Sequence, residues 1–365
     1  MSEPFNIIQF LKSAVASGAS DEHLKVGHPP YIRRNGFIKK TNMSPLTKEE
    51  LDSAILEIVP IAIREEILTR CDVDFMYEIK GCSRFRVNYN RQLGLPGLVI
   101  RNIPFNIPQL KDLSLPDILH SLVEQPNGII LVTGPTGSGK STTIASLINQ
   151  INMTASKHIV TIEDPIEYVY GCQNSIVTQR QVGVDTKDFS DGIKYALRQD
   201  PDVIFIGEIR DKETMEAALK ASETGHLVLS TLHTNDAVQT INRIVNMFEE
   251  SNRFLIRRQL SETLRATIAQ KLVYSEQDEK RYPACEIMVV TSTIKDYITK
   301  DNTEEIYELL RDNTVDNMIS MNTSLAMLAD KGCISEEEAL HSSNDEAELE
   351  KMFRGVYQGT KAYYD

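Results

Sequence analysis

The chain has 365 residues, 41% hydrophobic and 25% charged, a globular composition long enough for two domains and at least one large core. Its net charge of -13 argues against a nucleic-acid surface, which needs clustered Lys and Arg. No apolar run approaches the roughly 18 residues of a membrane span and no signal-peptide pattern opens the chain, so any membrane association is expected to run through a partner.

The first hundred residues read as a small α+β unit. "NIIQFLKSAVASG" has apolar residues at helical spacing and stops at Gly18, a helix C-cap residue. In "YIRRNGFIKK", Asn35-Gly36 between two strand-like runs signals a hairpin. "DVDFMYEIKG", "SRFRVNYNRQ" and "LPGLVIRNI" continue as β-type segments. "NIPFNIPQLKDLSLPDI", with Pro104, Pro108 and Pro116, then reads as an interdomain linker.

Beyond it the pattern changes. "GIILVT", "HIVTI", "VIFIG" and "LVLSTL" are nearly continuous apolar runs, as in strands buried on both faces. Helical segments, "KSTTIASLINQIN", "DFSDGIKYALRQD" and "KETMEAALKASETG", separate them. The alternation predicts a mostly parallel sheet in an α/β domain. From Asn252 onward the chain reads as mainly helical, apart from "ACEIMVV", and its last 32 residues, from Ile334, carry eight acids against three bases, read as a solvated acidic tail. Cys71, Cys82, Cys172, Cys285 and Cys333 are odd in number and scattered without a CxxC pair, which reads as reduced cytosolic thiols.

The chemistry gathers at strand ends. "GPTGSGKS", Gly134 to Ser141, fits G-x-x-x-x-G-K-[ST] between a strand and a helix. In the loop Gly134, Pro135, Thr136, Gly137, Ser138 and Gly139, the glycines would let successive backbone N–H groups, all but that of Pro135, which has none, converge on phosphate oxygens, with the helix N-terminus behind them. Lys140 would reach the β- and γ-phosphates, the Ser141 hydroxyl would bind Mg²⁺, and Thr142 closes the cradle. Glu163 follows "HIVTI", where a carboxylate can take a proton from a water attacking the γ-phosphate; a solvated acidic turn is the equal alternative. Glu208, after "DVIFIG", stands where an acid orients Mg²⁺ or its water shell, and Arg210 beside it is expected to pair with Asp211.

In "TGHLVLSTLHTND" two histidines bracket a buried strand. An extended chain would hold His226 and His233 roughly 20 Å apart, at about 3.3 Å per residue, too far to share one metal. His233 leaves the C-terminal end of its strand, the edge where ligands of open α/β sheets bind. His226 reads equally well as structural or functional.

Taken together, "GPTGSGKSTT", "TIEDPIEY", "ALRQDPDVIFIGEIRD" and "TGHLVLSTLHTNDA" resemble the Walker A, Asp box, Walker B and His box of the secretion-type traffic ATPases, within them the PilT-like pilus-retraction branch. "GASDEHLKVGHPPYIRRNG" also looks like that family. The resemblance implies a PAS-like N-terminal domain (1–102), a Pro-rich linker (103–115), a RecA-like ATPase core (116–290) and a C-terminal helical region with the acidic tail (291–365). It further implies a cytoplasmic homo-hexamer, peripheral at the inner membrane, that spends ATP with Mg²⁺ on type IV pilus retraction and twitching motility. An inner-membrane platform protein and a second pilus motor ATPase are the implied partners. By the same resemblance Glu163 matches the catalytic glutamate, Glu208 the Walker B acid (holding Mg²⁺ through water), and His233 a γ-phosphate contact. Arg86 in "RFRVN" and Arg101 in "LVIRNIP" match arginines that close onto the phosphates. A motor for pilus assembly or type IV secretion, an accessory retraction ATPase, and a nucleic-acid translocase are the alternatives.

Two stretches depart from the family pattern. "SDEHL" carries Glu22 where an apolar residue is usual, a change read as local packing. "TSTIKDYITKDN" keeps Ile294, Tyr297 and Ile298 in helical phase but changes the charge pattern of the retraction motif at Lys295, Thr299 and Lys300.

Overall fold

The computed structural model describes residues 5–103, 107–311 and 318–355. The chain divides into two compact units, residues 1–106 and 107–365. The last ten residues of the acidic tail, and the linker positions 104–106, lie outside the described residues.

The first unit is built on a six-stranded antiparallel sheet: β1 (Asp21–Lys25), β2 (Tyr31–Arg34), β3 (Phe37–Lys40), β4 (Val73–Ile79), β5 (Ser83–Gln92) and β6 (Leu95–Ile103), in the order β3-β2-β1-β6-β5-β4. Asn35 and Gly36 join β2 to β3, both at positive φ, the backbone that a two-residue hairpin turn requires. Period-two alternation divides the sheet's faces. Along β5, Phe85, Val87 and Tyr89 are buried while Arg84, Arg86 and Asn88 are not. The inner face packs against helices Ile7–Ala16 and Lys48–Ile58 through Ile7, Leu11, Leu51 and Ile58. Each such fully buried apolar side chain contributes about 1.5–3 kcal/mol relative to exposure. A capping box between Thr47 and Glu50 starts the second helix.

Glu22 points into that core and is completely buried. The Asn102 side-chain amide donates to its Oε1 at 2.7 Å, and its Oε2 has no partner. Burial pushes the Glu22 carboxyl up to about 8, so the departure read as local packing also installs a buried titratable group.

The second unit holds seven strands: β7 (Gly128–Thr133), β8 (His158–Glu163), β9 (Ile176–Gln181), β10 (Val203–Ile206), β11 (Leu227–Leu232), β12 (Leu264–Ser275) and β13 (Lys280–Val289). Their order is β13-β12-β7-β11-β10-β8-β9, parallel except for the β12–β13 pair. Along β7, Ile129 and Leu131 join the apolar cluster on one face, and Ile130 and Val132 the cluster on the other. Both faces are dry, which is why these strands carry no alternation.

Two strands depart from the sequence reading. β12 lies in the stretch read as mainly helical: Leu260, Leu264 and Ile268 fall four apart, a helical spacing, and Gln270-Lys271 interrupts the apolar run. β9, "IVTQRQ", is a partly exposed edge strand with too few apolar residues to announce itself. Beyond β13, helices Met321–Asp330, Glu336–Ser342 and Glu346–Phe353 surround a further apolar cluster with Val273 and Ala284. Acids of the tail are tied down there: Glu338 completes a capping box with Ser335, and Glu348 pairs with Arg311 at 3.1 Å.

The altered "TSTIKDYITKDN" stretch forms helix Ser292–Lys300, with Ile294 and Ile298 fully buried. Lys295 bonds Glu262 at 3.0 Å, Thr299 bonds Ser261 at 3.1 Å, and Lys300 bonds Asp296 at 2.8 Å. The changed positions are thus engaged within the chain. Among the described residues, no helix is long and apolar enough to cross a membrane.

Candidate active site

The parallel strands β7, β8, β10 and β11 end on one edge: Gly134–Ser141 and His233 follow β7 and β11 directly, Glu163 is the last residue of β8, and Glu208 lies one glycine past β10. The Gly134–Gly139 loop runs from β7 into helix Lys140–Thr154. Pro135, Thr136 and Gly137 are exposed, whereas Ser138 and Lys140 are buried. Lys140 Nζ donates to the carbonyls of Gly134 at 2.8 Å and Pro135 at 2.9 Å, folding the ammonium inside the loop. Burial lowers its pKa.

Two of the loop's glycines are required by one neighbour. A Cβ on Gly134 would stand 2.3 Å from the Gln270 carbonyl oxygen, and one on Gly139 2.7 Å from Gln270 Nε2. Both also sit at positive φ. The Ser138 and Thr133 hydroxyl oxygens are buried without hydrogen-bond partners. A glycine-rich loop at a helix N-terminus, a folded-in ammonium and two orphaned hydroxyls fit a ligand bearing several anionic oxygens.

Glu163 closes β8 and is 4% exposed. Its Oε1 accepts from Thr161 Oγ1 at 2.7 Å and from Gln179 Nε2 at 3.2 Å, and its Oε2 from the Glu167 backbone N–H at 3.4 Å. Burial outweighs these bonds and pushes the carboxyl up to about 7. The solvated-turn alternative therefore fails: this is a dry, held carboxyl poised near neutrality, the condition for a general base. Tyr168, in the loop that follows, shares a 3.1 Å hydrogen bond with the Thr142 hydroxyl, tying that loop to the first turn of the phosphate-loop helix.

Glu208 follows β10 by one glycine and stands between two cationic or polar groups. Arg210 Nη2 lies 2.5 Å from its Oε1 and His233 Nε2 3.6 Å from its Oε2. The expected Arg210–Asp211 pair is not made, because Asp211 is spent as a helix N-cap, accepting from the Thr214 N–H at 2.8 Å. A carboxylate and the exposed Ser141 hydroxyl offer hard oxygen donors of the kind Mg²⁺ selects.

His226 takes a different part. Its Nδ1 lies 2.8 Å from the Ala221 carbonyl oxygen and 3.1 Å from Thr224 Oγ1, at the C-terminal end of helix Lys212–Glu223. It closes the last turn of that helix, at the opposite end of β11 from His233.

On the first unit's outer sheet face, Arg86 and Arg101 stand directly opposite across the β5–β6 pair. Arg101 Nε donates to Asp21 at 2.9 Å, and Arg33 lies 3.7 Å from the same carboxylate. Arg33, Asp21, Arg101 and Arg86 thus lie in one cross-strand row, in which a single acid, engaged by Arg101 and Arg33, stands among three arginines and leaves net positive charge.

Thr161, Gln179 and Gln270 are the contributors that the motifs did not single out. Their only signal was a polar side chain inside or ending a strand run, "VTIE", "VTQRQ" and "TIAQKL".

Residues 98–341 match the family described as Type II/IV secretion system protein. The chain is 39% identical over 334 residues to the type IV pilus retraction ATPase PilT of Pseudomonas aeruginosa, covering 92% of this chain and 97% of the relative. It is 37% identical over 336 residues to a twitching motility protein of Neisseria gonorrhoeae, covering 92% and 90%. The solved structure of the pilus retraction motor PilT with bound ADP matches with a TM-score of 0.88 at 44% identity, over 95% of this chain and all of the other. With its phosphate loop, strand-end acids and strand-end histidine lying inside the matched span, this chain belongs to the Type II/IV secretion system protein family.

Proposed function

We propose that the chain is an ATP-hydrolysing motor that drives type IV pilus retraction, and with it twitching motility. The observation that carries the reading is the buried Glu163 carboxyl, held by Thr161 and Gln179 on the sheet edge that also bears the Lys140 loop. Its support in kind comes from relatives that are named as retraction and twitching proteins along nearly the whole chain.

ATP is the substrate. Lys140 exchanges the Gly134 and Pro135 carbonyls for phosphate oxygens, and the loop's N–H groups hold the rest of the polyphosphate. Ser141, and Glu208 through water, would hold Mg²⁺, which when bound neutralises charge on the β- and γ-oxygens. Glu163 takes the proton of the attacking water. His233 reads the γ-phosphate from the side of Glu208, and Arg86 and Arg101 balance the charge that develops in transfer. In this reading the first unit is a PAS-like domain and the second a RecA-like ATPase domain. Six copies form a ring that acts on an inner-membrane platform protein, beside a second pilus motor ATPase.

Deletion of the gene tests the direction of work. Excess surface pili without twitching is the expected phenotype, and absent pili would assign the motor to assembly instead. Mg²⁺-dependent ATP turnover by the purified chain tests the chemistry; stimulation by DNA would point to a translocase. The altered helix Ser292–Lys300 favours an accessory retraction motor as the second reading, which predicts pili that still retract, with less force, in the deletion strain.

A further inference from the structure

Gln270 sits in the middle of β12, behind the phosphate loop, and is 3% exposed. Its Nε2 donates to the Ser138 carbonyl at 2.8 Å, and its Oε1 accepts from the Thr143 hydroxyl at 2.8 Å. The amide therefore spans from the loop, three residues before Ser141, to the first turn of helix Lys140–Thr154. Its orientation is forced. A carbonyl oxygen only accepts, so the NH₂ end must face Ser138, and the hydroxyl of Thr143 supplies the donor for the other end.

The C=O and N–H of a trans peptide point in opposite directions. With the Ser138 carbonyl drawn to the buried Gln270, the N–H of Gly139 is turned the other way, toward the solvent side of the loop where Pro135–Gly137 are exposed. Gly139 is the N-cap of the helix, so that N–H is one of the unbonded donors of the helix start. The contact is also close enough to dictate composition: Gln270 atoms occupy the places where side chains on Gly134 and Gly139 would lie.

We infer that Gln270 is a positioning residue for nucleotide binding: by holding the Ser138–Gly139 peptide in one orientation, it presents the Gly139 N–H to a phosphate oxygen before the nucleotide arrives. The inference rests on the nucleotide-binding reading of the loop. Gln270 itself touches no phosphate; it acts through the peptide. Glutamine suits the task because glutamate keeps the length but loses the donor, and methionine keeps the length but loses both bonds.

The test uses the full chain and a fluorescent ADP, whose binding is measured without turnover. Gln270→Glu and Gln270→Met are expected to weaken ADP binding by about tenfold, the size of one lost hydrogen bond, and to raise KM for ATP in parallel. Thr143→Val, which frees one end of the amide, is expected to weaken ADP binding by about threefold, whereas Thr143→Ser keeps the hydroxyl and binds as wild type. Thr143→Val/Gln270→Met is expected to be no worse than Gln270→Met alone, since both act on one peptide. A purely structural role predicts lower unfolding midpoints with ADP affinity unchanged, and that result overturns the inference. Strictly additive losses overturn it too. Should the Gln270 variants fail to fold, unchanged ADP affinity in Thr143→Val overturns it by itself. Wild-type protein that binds ADP but never hydrolyses ATP removes the motor reading and leaves Gln270 to be judged on affinity; wild-type protein that binds no ADP removes both.

Discussion

The side chains of Gln179 and Glu163 meet across the β8–β9 edge of the sheet, with the Gln179 amide donating to Glu163 Oε1 at 3.2 Å. The same amide group donates to the Tyr168 carbonyl at 2.8 Å, and its oxygen accepts from the Tyr170 N–H at 2.9 Å. One glutamine therefore fixes both the carboxyl and the loop that folds over it. That loop also reaches the phosphate-loop helix through the Tyr168–Thr142 bond, so an edge strand is connected to the nucleotide site by two side chains.

Glu163→Gln is expected to retain ATP binding and to lose at least about 100-fold in kcat, the range of a removed general base. As the proposed base, Glu163 works only when deprotonated, and burial holds its carboxyl up at about 7. Turnover of the wild type should therefore rise as pH increases through about 7 and flatten above it. A pH–rate profile at saturating Mg²⁺-ATP checks this; a flat profile across neutrality would move the base to another group.

Gln179→Leu tests the brace. The bond from Gln179 favours the charged carboxylate and holds the Glu163 pKa down against burial. Without it the pKa rises further, so the acid limb of the profile should move to higher pH. At pH 7 kcat is expected to fall by about threefold to tenfold while KM for ATP changes little, because no phosphate contact is lost. A KM effect equal to the kcat effect would instead mean that the loop itself had collapsed.

His233→Ala should cost turnover more than affinity. The imidazole is about half exposed, with Nε2 3.6 Å from Glu208 Oε2, so little stability depends on it. Loss of the contact proposed for it with the transferring phosphoryl is expected to reduce kcat by about 10- to 100-fold, with KM within about threefold of wild type. Steady-state kinetics, with a thermal unfolding control, decides the matter. His226→Ala should show the reverse: a lower unfolding midpoint, from the lost bond to the Ala221 carbonyl, with kcat retained.

How much of this was legible in the sequence depends on where each signal resides. The phosphate loop and the strand-end acids are local: strand, turn and helix lie within a few residues, and Gly134, Lys140, Glu163 and Glu208 announce themselves by type and order. Gln270 and Gln179 do their work across strand neighbours distant in the chain, Gln270 on a residue 132 positions away. No local pattern encodes such a contact. β12 escaped for a related reason: its place beside β7 is set by the sheet, while its own Leu260, Leu264 and Ile268 spacing is helical. Arg210 reads as the partner of Asp211, the nearer acid along the chain, and the requirement of a helix N-cap at Asp211 is the competing demand that decides otherwise.

Glu22→Gln isolates the buried acid of the first unit. In the folded chain Glu22 titrates near 8, against 4.5 for an unperturbed glutamate, chiefly because it is buried, with the Asn102 amide opposing and neighbouring Asp21 adding to the rise. The folded state therefore binds a proton more tightly than the unfolded state. Stability from this group is fully present below about 4.5 and is lost as pH rises toward about 8. Glu163 and Glu286, both raised to about 7 by burial, carry the same sign, so the wild type alone cannot assign the slope. The difference between wild type and Glu22→Gln can, because only one carboxyl is removed and the amide keeps its shape. The two proteins should unfold at nearly the same midpoint at acidic pH, and the variant should become progressively more stable than wild type from pH 5 to 8, by about 2–4 kcal/mol at the upper end. Urea unfolding across that range measures it. A constant offset between the two curves would mean that Glu22 is ionised in both states and that the buried geometry has found it a counter-charge.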